Sequence, residues 1–427
     1  MPGATLGAGS AALRVRGYAL HRFSRGGVKP DLLLDGTRDR AYVDGARIAL
    51  NTAISTGASG VRTGFNVAGD LVDFPAATLR RVTDPVRGGG MRSGFSTQNL
   101  IDEYHDLSNW LANGLATASV SATQGLTRGT FYNQIDVGAV GSGQGANRLS
   151  KNTIVAADTQ YTLSADVSDI DATWINFRVF TSTTDAILDV NLQTGGVQSI
   201  SSVDSYSVAT NPDGSRRVSL VFTTGAATTS ANIRIGGPIS QVSTGQLFLA
   251  DNLQLEEGDH ASSRIRSAGV VTSRPADALT VPLGPWFTQG QGTVLFTGVL
   301  LGASGSLDRL FQLGDSAADC LFLYYEAALS RLTYGVNVGS VWQGGGGAGA
   351  YSPGDPVACA VSWNGTQISV SLNGAVAQDF AVSAMPTLTD LNIGHGAGAD
   401  DGTQLTQLLA IWPQVDADLQ GLSAWAM

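Results

Sequence analysis

The chain has 427 residues, among them 54 Gly and 13 Pro, with 43% hydrophobic residues, only 14% charged residues and a formal net charge of −10. It is too long for one small core and too apolar to remain disordered, and it has no run of about 18 apolar residues to span a bilayer. Few stretches keep a helical period, so the expected class is all-β, with many short strands joined by glycine-rich turns.

The first 97 residues are the least regular. Up to residue 98 there are 13 Lys+Arg against 7 Asp+Glu, a balance of +6, which leaves −16 for the remainder. Short β-like pieces such as "RVRGYAL" and "PDLLLDG" are separated by Gly, Pro and Asp, and "DRAYVDGARIAL" reads as two strands around an Asp44-Gly45 turn. From Thr56 to Gly94 the segment is rich in Gly and Arg with few sustained strands. Residues 1–97 are therefore expected to be a basic attachment region that orders against other proteins. The arginines are dispersed and lack an aromatic platform, so an acidic protein surface fits better than nucleic acid.

Residues 98–258 show strands at regular intervals. "YTLSADV" puts Tyr161, Leu163, Ala165 and Val167 on one face, "RRVSLVFTT" puts Val218, Leu220 and Phe222 inside, and "WINFRVF", "ANIRIGG" and "QLFLADNLQLEEG" continue the pattern. This predicts a two-sheet sandwich or jelly roll. Residues 259–285 read as a connector. Residues 286–427 predict a second antiparallel sandwich. In "VSWNGTQISVSLNGAVAQDF", tight turns at Asn364-Gly365 and Asn373-Gly374 would make a three-stranded meander. Leu419 and Leu422 have helical spacing and predict one short closing helix.

The last domain resembles the concanavalin A-like, laminin-G-like sandwich. The likeness lies in "GTVLFTGVL", "RLFQLGD", "VACAVSWNGTQISVSLNG", "LTDLNIG" and "LLAIWP", in that order. The middle domain resembles carbohydrate-binding-module-like jelly rolls of tailed-phage particles, through its "NLI…DLSNW" start, "YTLSADV" and "LFLADNLQLEEG". The connector "SRIRS…VVTSRPADAL" looks like the link between two such domains. Ahead of them, "LLLDGTRDRAYVDGARI" and "GMRSGFSTQNLI" look like a degenerate form of the preceding segment. The resemblance implies a virion fibre, spike or tail-tip protein of a tailed phage or phage-derived particle, a class that includes head spikes of gene-transfer agents. Such a protein would bind host-surface polysaccharide for adsorption and join other virion proteins through its N-terminal region. It would act as a homo-oligomer, a trimeric fibre or a pentameric spike, because repeated weak contacts gain avidity.

Catalytic patterns are missing from the sequence. There is no HExxH motif and no Cys/His cluster with metal spacing, and His21, His105, His260 and His395 fall in separate segments. "GSGQGANR" and "GHGAGADDG" have no Lys-Ser/Thr ending and read as loops. Carboxylate pairs such as Asp185/Asp189 and Glu256/Glu257 are expected by chance in an acidic chain. The protein is therefore read as a binder and not an enzyme, with no required cofactor. A virion-associated glycan depolymerase and a secreted bacterial adhesin are the alternative readings. A convergent carboxylate pair would favour the first. The start "MPGATLGAGSAALRV" is unlike a signal peptide, which speaks against the second and for synthesis in the bacterial cytoplasm before assembly into virions. Cys320 and Cys359 lie in apolar runs and read as small buried hydrophobes.

Sugar binding needs an aromatic ring to cover the apolar face of a pyranose, with polar groups beside it. "SVWQGGGGAGAY" places Trp342 beside a glycine-rich loop with Gln343 and Tyr351 nearby, and Trp174 is the equivalent candidate in the middle domain. Trp363 and Trp412 alternate toward the core and read as structural. The resemblance also allows a structural calcium, with Asp251 at the position where jelly-roll modules place an Asp ligand. Asp400 and Asp401 are the candidates in the last domain.

Overall fold

A computed structural model describes residues 23–25, 27–44, 46–56, 62–65, 71–74, 79–84, 88–93, 97–102, 106–121, 132–138, 146–262, 264–265, 270–274, 276–302, 307–396 and 403–425. The protein is all-β and antiparallel, with two short α-helices among these residues, Leu50–Ala53 and Leu419–Trp425. No helix among them is long and apolar enough to cross a membrane. The chain divides into two compact units. Unit one comprises Met1–Ala58, Ala77–Gly94 and Asp277–Met427, and unit two comprises Ser59–Ala76 and Phe95–Ala276.

Unit one is a sandwich of two sheets. In sheet I, the main path among the described residues runs Ala46–Ile48, Arg40–Val43, Leu32–Asp35, Thr403–Trp412, Gly292–Gly302, Pro356–Asn364, Gln367–Leu372 and Gln378–Ala381. Sheet II runs Val341–Ala350, Arg331–Val338, Cys320–Glu326, Leu307–Leu313, Asp390–Ile393, Leu279–Pro282 and Ser55–Thr56. Between them lies a core in which Phe296 meets Phe311 at 6.2 Å and Phe287 stacks on Trp363 at 6.2 Å. The outer face of sheet I is also apolar. There Ala358, Ala360 and Ala410 leave room for the closing helix, which seats Leu419 and Leu422 beside Leu33, Leu295 and Trp412. The Trp412 indole N–H donates to the Phe23 carbonyl at 2.8 Å.

The N-terminal region differs from expectation. Among the described residues, several of its strands belong to the sheets of unit one. Leu32–Asp35 pairs with Thr403–Trp412, in the register Leu32↔Ile411 and Leu34↔Leu409. Ser55–Thr56 pairs with Leu279–Pro282, and Gly88–Ser93 pairs with Thr403–Trp412. The physical reason is burial on two sides. Leu32 and Leu34 enter the core between the sheets, while Leu33 enters the core under the closing helix. A buried ion pair, Arg80–Asp277 at 2.8 Å, ties the 79–93 segment to the start of the C-terminal part. Four leucine-rich residues flanked by turn formers carry too short a pattern to be read as an interior strand from the sequence.

The two Asn-Gly pairs fold differently. Asn373 and Gly374 have φ of 50° and 77°, and Ala375 N–H donates to the Leu372 carbonyl, as a type I′ turn requires. At the first pair the loop is shifted by one residue, because Asn364 pairs with Gln367 and the two-residue loop is Gly365-Thr366. The Asn364 side chain accepts from the Thr366 N–H, which closes an Asx turn in place of the expected one.

Unit two is a second sandwich. Sheet III runs Leu111–Asn113, Arg148–Ile154, Ser230–Gly236, Trp174–Phe180, Asp185–Asn191 and Val197–Ser201. Sheet IV runs Thr117–Ser121, Tyr132–Asp136, Leu247–Glu257, Gln160–Asp169, Arg216–Thr223 and Ser205–Thr210. Leu163, Ala165, Val167, Val218, Leu220 and Phe222 face Ile175, Phe177 and Val179 in its core. Unit two also includes the Arg62–Phe65 and Leu71–Phe74 strand pair, and Thr97–Asn99 paired with Thr272–Arg274. Much of the expected connector belongs here. Ser262 bonds to Glu256, Arg264 to Asp166 and Ile265 N–H to Gln254, so the segment seals a buried polar layer on the outer side of sheet IV.

Candidate functional site

The glycine run beside Trp342 is a strand, not a loop. Val341–Ala350 pairs antiparallel with Arg331–Val338 at the edge of sheet II. The Trp342 ring crowds two of the glycines, and at Gly345 the Tyr334 carbonyl oxygen would be closer still, 2.3 Å from a Cβ. A Cβ at Gly335 would lie 2.2 Å from Trp342 Cη2, and one at Gly345 would lie 2.7 Å from Cζ2. Gly345 also has φ of 150°, a backbone state that L side chains rarely adopt. The indole therefore lies over bare backbone on the outer face of sheet II, and 49% of Trp342 remains exposed.

The ring continues a row across that face. Phe322 is 6.0 Å from Trp342, and the Arg309 guanidinium sits 3.8 Å from the Phe322 centroid and 5.5 Å from that of Tyr324. Glu326 accepts from Thr333 and Arg331, each at 3.0 Å. Burial, followed by the nearby Glu326 charge, pushes the Tyr324 phenol above its usual pKa. An exposed ring with polar and charged side chains along one edge can stack on a sugar and bond its hydroxyls.

The other two proposed partners of Trp342 do not join it. Gln343 accepts from Ser383 Oγ at 2.5 Å and donates to the Val341 carbonyl at 3.1 Å. Tyr351 is buried. Its hydroxyl accepts from Leu300 N–H at 3.0 Å and donates to the Asp355 carbonyl at 2.8 Å, and its ring meets Tyr325. A loop could have folded Tyr351 back to Trp342. An extended strand carries it away at about 3.3 Å per residue.

In unit two, Trp174 is half-buried at the start of Trp174–Phe180. Ile175, Phe177 and Val179 point into the core, so Trp174, Asn176, Arg178 and Phe180 share the outer face of sheet III. The neighbouring strands bring Arg148 and Arg234 to the same face. Sequence reasoning missed this group. The signal was present, because each arginine sits on the non-core parity of an alternating strand, but the strands are far apart along the chain.

The chance carboxylate pairs have structural partners. Arg178 holds Asp185 through two bonds of 2.6 and 2.5 Å, and buried Asp189 accepts from Asn176 and from the Ile239 and Ser240 amides. Glu256 accepts from Ser262 and Gln254. Asp251 is buried and accepts from the Asn252 amide at 2.7 Å. Its cross-strand partner Asp166 is gripped by Arg264, with Arg217 at 3.7 Å. Calcium needs six to eight oxygens, and among the described residues no group of three or more His, Cys, Asp or Glu is placed to hold a metal ion. Guanidinium groups thus occupy Asp166 beside Asp251, and Asp400 and Asp401 lie outside the described residues. His21 and His105 also lie outside them. His260 meets Asp259 at 2.7 Å, and His395 lies within 3.3 Å of the Leu279 carbonyl. Cys320 and Cys359 are buried, and burial pushes the Cys359 thiol up to about 12.

No protein-family model and no curated protein sequence matches the chain. Several solved structures are similar to it. The tandem CBM22 domain of Paenibacillus barcinonensis Xyn10C is 12% identical, with 74% of this chain and 96% of that one covered and a TM-score of 0.26. Domains LG4-5 of the mouse laminin alpha1 chain are 11% identical, with 60% and 83% covered and a TM-score of 0.23. Domain 4 of AbnA, a GH43 extracellular arabinanase from Geobacillus stearothermophilus solved with arabinotriose, is 12% identical, with 35% and 72% covered and a TM-score of 0.30. Likenesses this distant assign no role to any residue of this chain.

Proposed function

We propose that this protein is a surface component of a tailed-phage or phage-derived particle and that unit one binds host-surface polysaccharide through the Trp342 face. The observation that supports the reading is the half-exposed indole lying over Gly335 and Gly345, with Arg331, Thr333 and Glu326 on the same outer face. A core tryptophan would be enclosed, as Trp363 and Trp412 are at 1% exposure each. Trp342 instead presents an open ring, the surface a pyranose needs.

Attachment to the particle would fall to the chain ahead of Leu32, since Leu32–Asp35 belongs to sheet I. Several copies on one particle would convert weak sugar contacts into firm adsorption. The test is Trp342→Ala, measured for binding to host polysaccharide and for thermal melting beside the wild type. Stacking contributes about 0.5–1.5 kcal/mol beyond area burial, so one monomer should lose about tenfold or less, with melting nearly unchanged. Unchanged binding would remove the face from the site. Release of reducing sugar by the wild type would favour a depolymerase.

A further inference from the structure

The chain holds three Asn-Gly pairs, Asn113-Gly114, Asn364-Gly365 and Asn373-Gly374. Such a pair can rearrange without an enzyme. The glycine amide nitrogen loses its proton to water and attacks the asparagine side-chain carbon. Glycine suits this step because it has no Cβ to obstruct the approach. The tetrahedral intermediate carries its negative charge on Oδ1 and then expels Nδ2 as ammonia, which leaves a five-membered succinimide. Water opens that ring at either carbonyl and gives an aspartyl or an isoaspartyl residue. One water is consumed and one ammonia released, with no oxidation. Whether a pair reacts in a folded protein therefore depends on the glycine nitrogen, the asparagine carbonyl oxygen and the leaving amide.

At Asn373-Gly374 all three atoms are occupied. The Gly374 N–H donates to Ser423 Oγ at 2.9 Å. Asn373 Oδ1 accepts from the Ala358 amide at 2.7 Å, and its Nδ2 donates to the Pro356 carbonyl at 3.4 Å. At Asn113-Gly114 the leaving amide donates to the Leu111 carbonyl at 3.2 Å and to Ser150 Oγ, on the neighbouring strand, at 2.9 Å. Gly114 is hemmed in as well, since a Cβ there would lie 2.1 Å from Asn147 Oδ1. Asn364-Gly365 differs from both. Among the described residues, neither the Gly365 N–H nor Asn364 Nδ2 has a hydrogen-bond partner. Gly365 is exposed, and a Cβ there would meet nothing within 4 Å. Asn364 Oδ1 accepts from the Thr366 N–H at 3.1 Å and from Thr366 Oγ1 at 3.2 Å, two donors placed where negative charge would develop.

We propose that Asn364 is a self-modifying site, which converts with time to an aspartyl or isoaspartyl residue, while the fold keeps Asn113 and Asn373 intact. The change adds one negative charge to a chain whose net charge is −10. The isoaspartyl form also lengthens the backbone by one carbon at the start of the two-residue loop between Asn364 and Gln367. The Thr366 carbonyl in that loop accepts from the Val382 amide at 2.9 Å, so the lengthening acts on the edge strand Gln378–Ala381 of sheet I. The site does not depend on the Trp342 reading, because none of its reacting atoms belongs to that face.

The experiment incubates the full chain in mildly alkaline buffer made with heavy-oxygen water and follows the three Asn-Gly peptides by mass analysis after digestion. Label enters only where water has opened the ring, so new modification is told apart from old. Asn364 should take up label about tenfold or more faster than Asn373, because Asn373 must first give up the bonds from Ala358 and to Ser423. It should also outpace Asn113. In concentrated urea the three rates should converge, since the fold no longer sets them apart. Gly365→Ala should slow uptake at Asn364 severalfold, because a Cβ then obstructs the attack. Ser423→Ala, which frees the Gly374 N–H, should speed uptake at Asn373 and leave that at Asn364 unchanged, with melting measured beside the wild type. The urea series decides the matter even where that variant does not fold. No label at Asn364 in the folded chain, equal rates at the three sites, an unchanged rate in Gly365→Ala, or a ranking that persists in urea would each overturn the proposal.

Discussion

Leu32 stands opposite Ile411 in adjacent antiparallel strands, so the two ends of the chain complete one sheet. Both side chains are buried in the core between sheets I and II. This makes the N-terminal segment part of unit one's stability. Leu32→Ala should cost about 2–5 kcal/mol, the usual range for deleting a fully buried leucine. Removing residues 1–97 should abolish the folding of unit one, because Thr403–Trp412 would lose Leu32–Asp35 and Gly88–Ser93 and keep only Gly292–Gly302 beside it. Urea unfolding of each variant checks this, and a deletion variant that unfolds like the wild type would contradict the pairing.

Gly335 and Trp342 supply the second prediction. Gly335→Ala would place a methyl group 2.2 Å from the indole, so the ring must move off its platform. Affinity for the polysaccharide should fall in Gly335→Ala even though Trp342 is still present. The loss should approach that of Trp342→Ala, about tenfold or less per monomer. Titration of the two variants side by side is the measurement. Full affinity in Gly335→Ala would show that ring placement does not matter to the site.

Much of the all-β class was legible because alternation is a local signal. "YTLSADV" and "RRVSLVFTT" each declare their inner face within seven to nine residues. The errors arise where a contact is remote or a residue is small. "LLLD" reads as a fragment until Thr403–Trp412 is placed beside it. The glycine run reads as a loop because glycine is poor in strand propensity, yet here it clears space for Trp342. Tyr351 then lost its apparent closeness to Trp342, since the intervening backbone is extended. The arginines of sheet III were invisible as a group because register, not sequence distance, brings Arg148, Arg178 and Arg234 together.

The buried thiols give a third prediction. Cys320 and Cys359 are enclosed, and burial disfavours the reactive thiolate of Cys359. Neither should react with a thiol reagent at neutral pH in the folded protein, and both should react in denaturant. Labelling followed by mass analysis decides it. Rapid modification of native Cys359 would mean that the core opens readily at that strand.

Asp166 gives the fourth, through pH. Its carboxylate is 1% exposed, held by Arg264 and by Asn211 and Asn252 at 3.1 and 2.8 Å. Burial alone would raise its pKa, but Arg264 and then Arg217 overcome burial and hold it below the usual carboxylate value. The sign follows from that direction. A group whose folded pKa lies below its unfolded value adds stability that is fully present above the unfolded value, about 3.9, and is lost as pH falls through the folded value. Unit two should therefore lose stability below about pH 4. Asp166→Asn should cost about 3–5 kcal/mol at neutral pH, because it removes a buried counter-charge from partly buried Arg264 and Arg217. It should also flatten the acid limb, since the titrating group is gone. Urea midpoints of the wild type and variant, followed from neutral pH into the acid range, check both parts. An acid limb equally steep in both proteins would assign the acid sensitivity to other carboxylates. A neutral-pH midpoint unchanged by the substitution would show that the arginine cluster does not depend on Asp166.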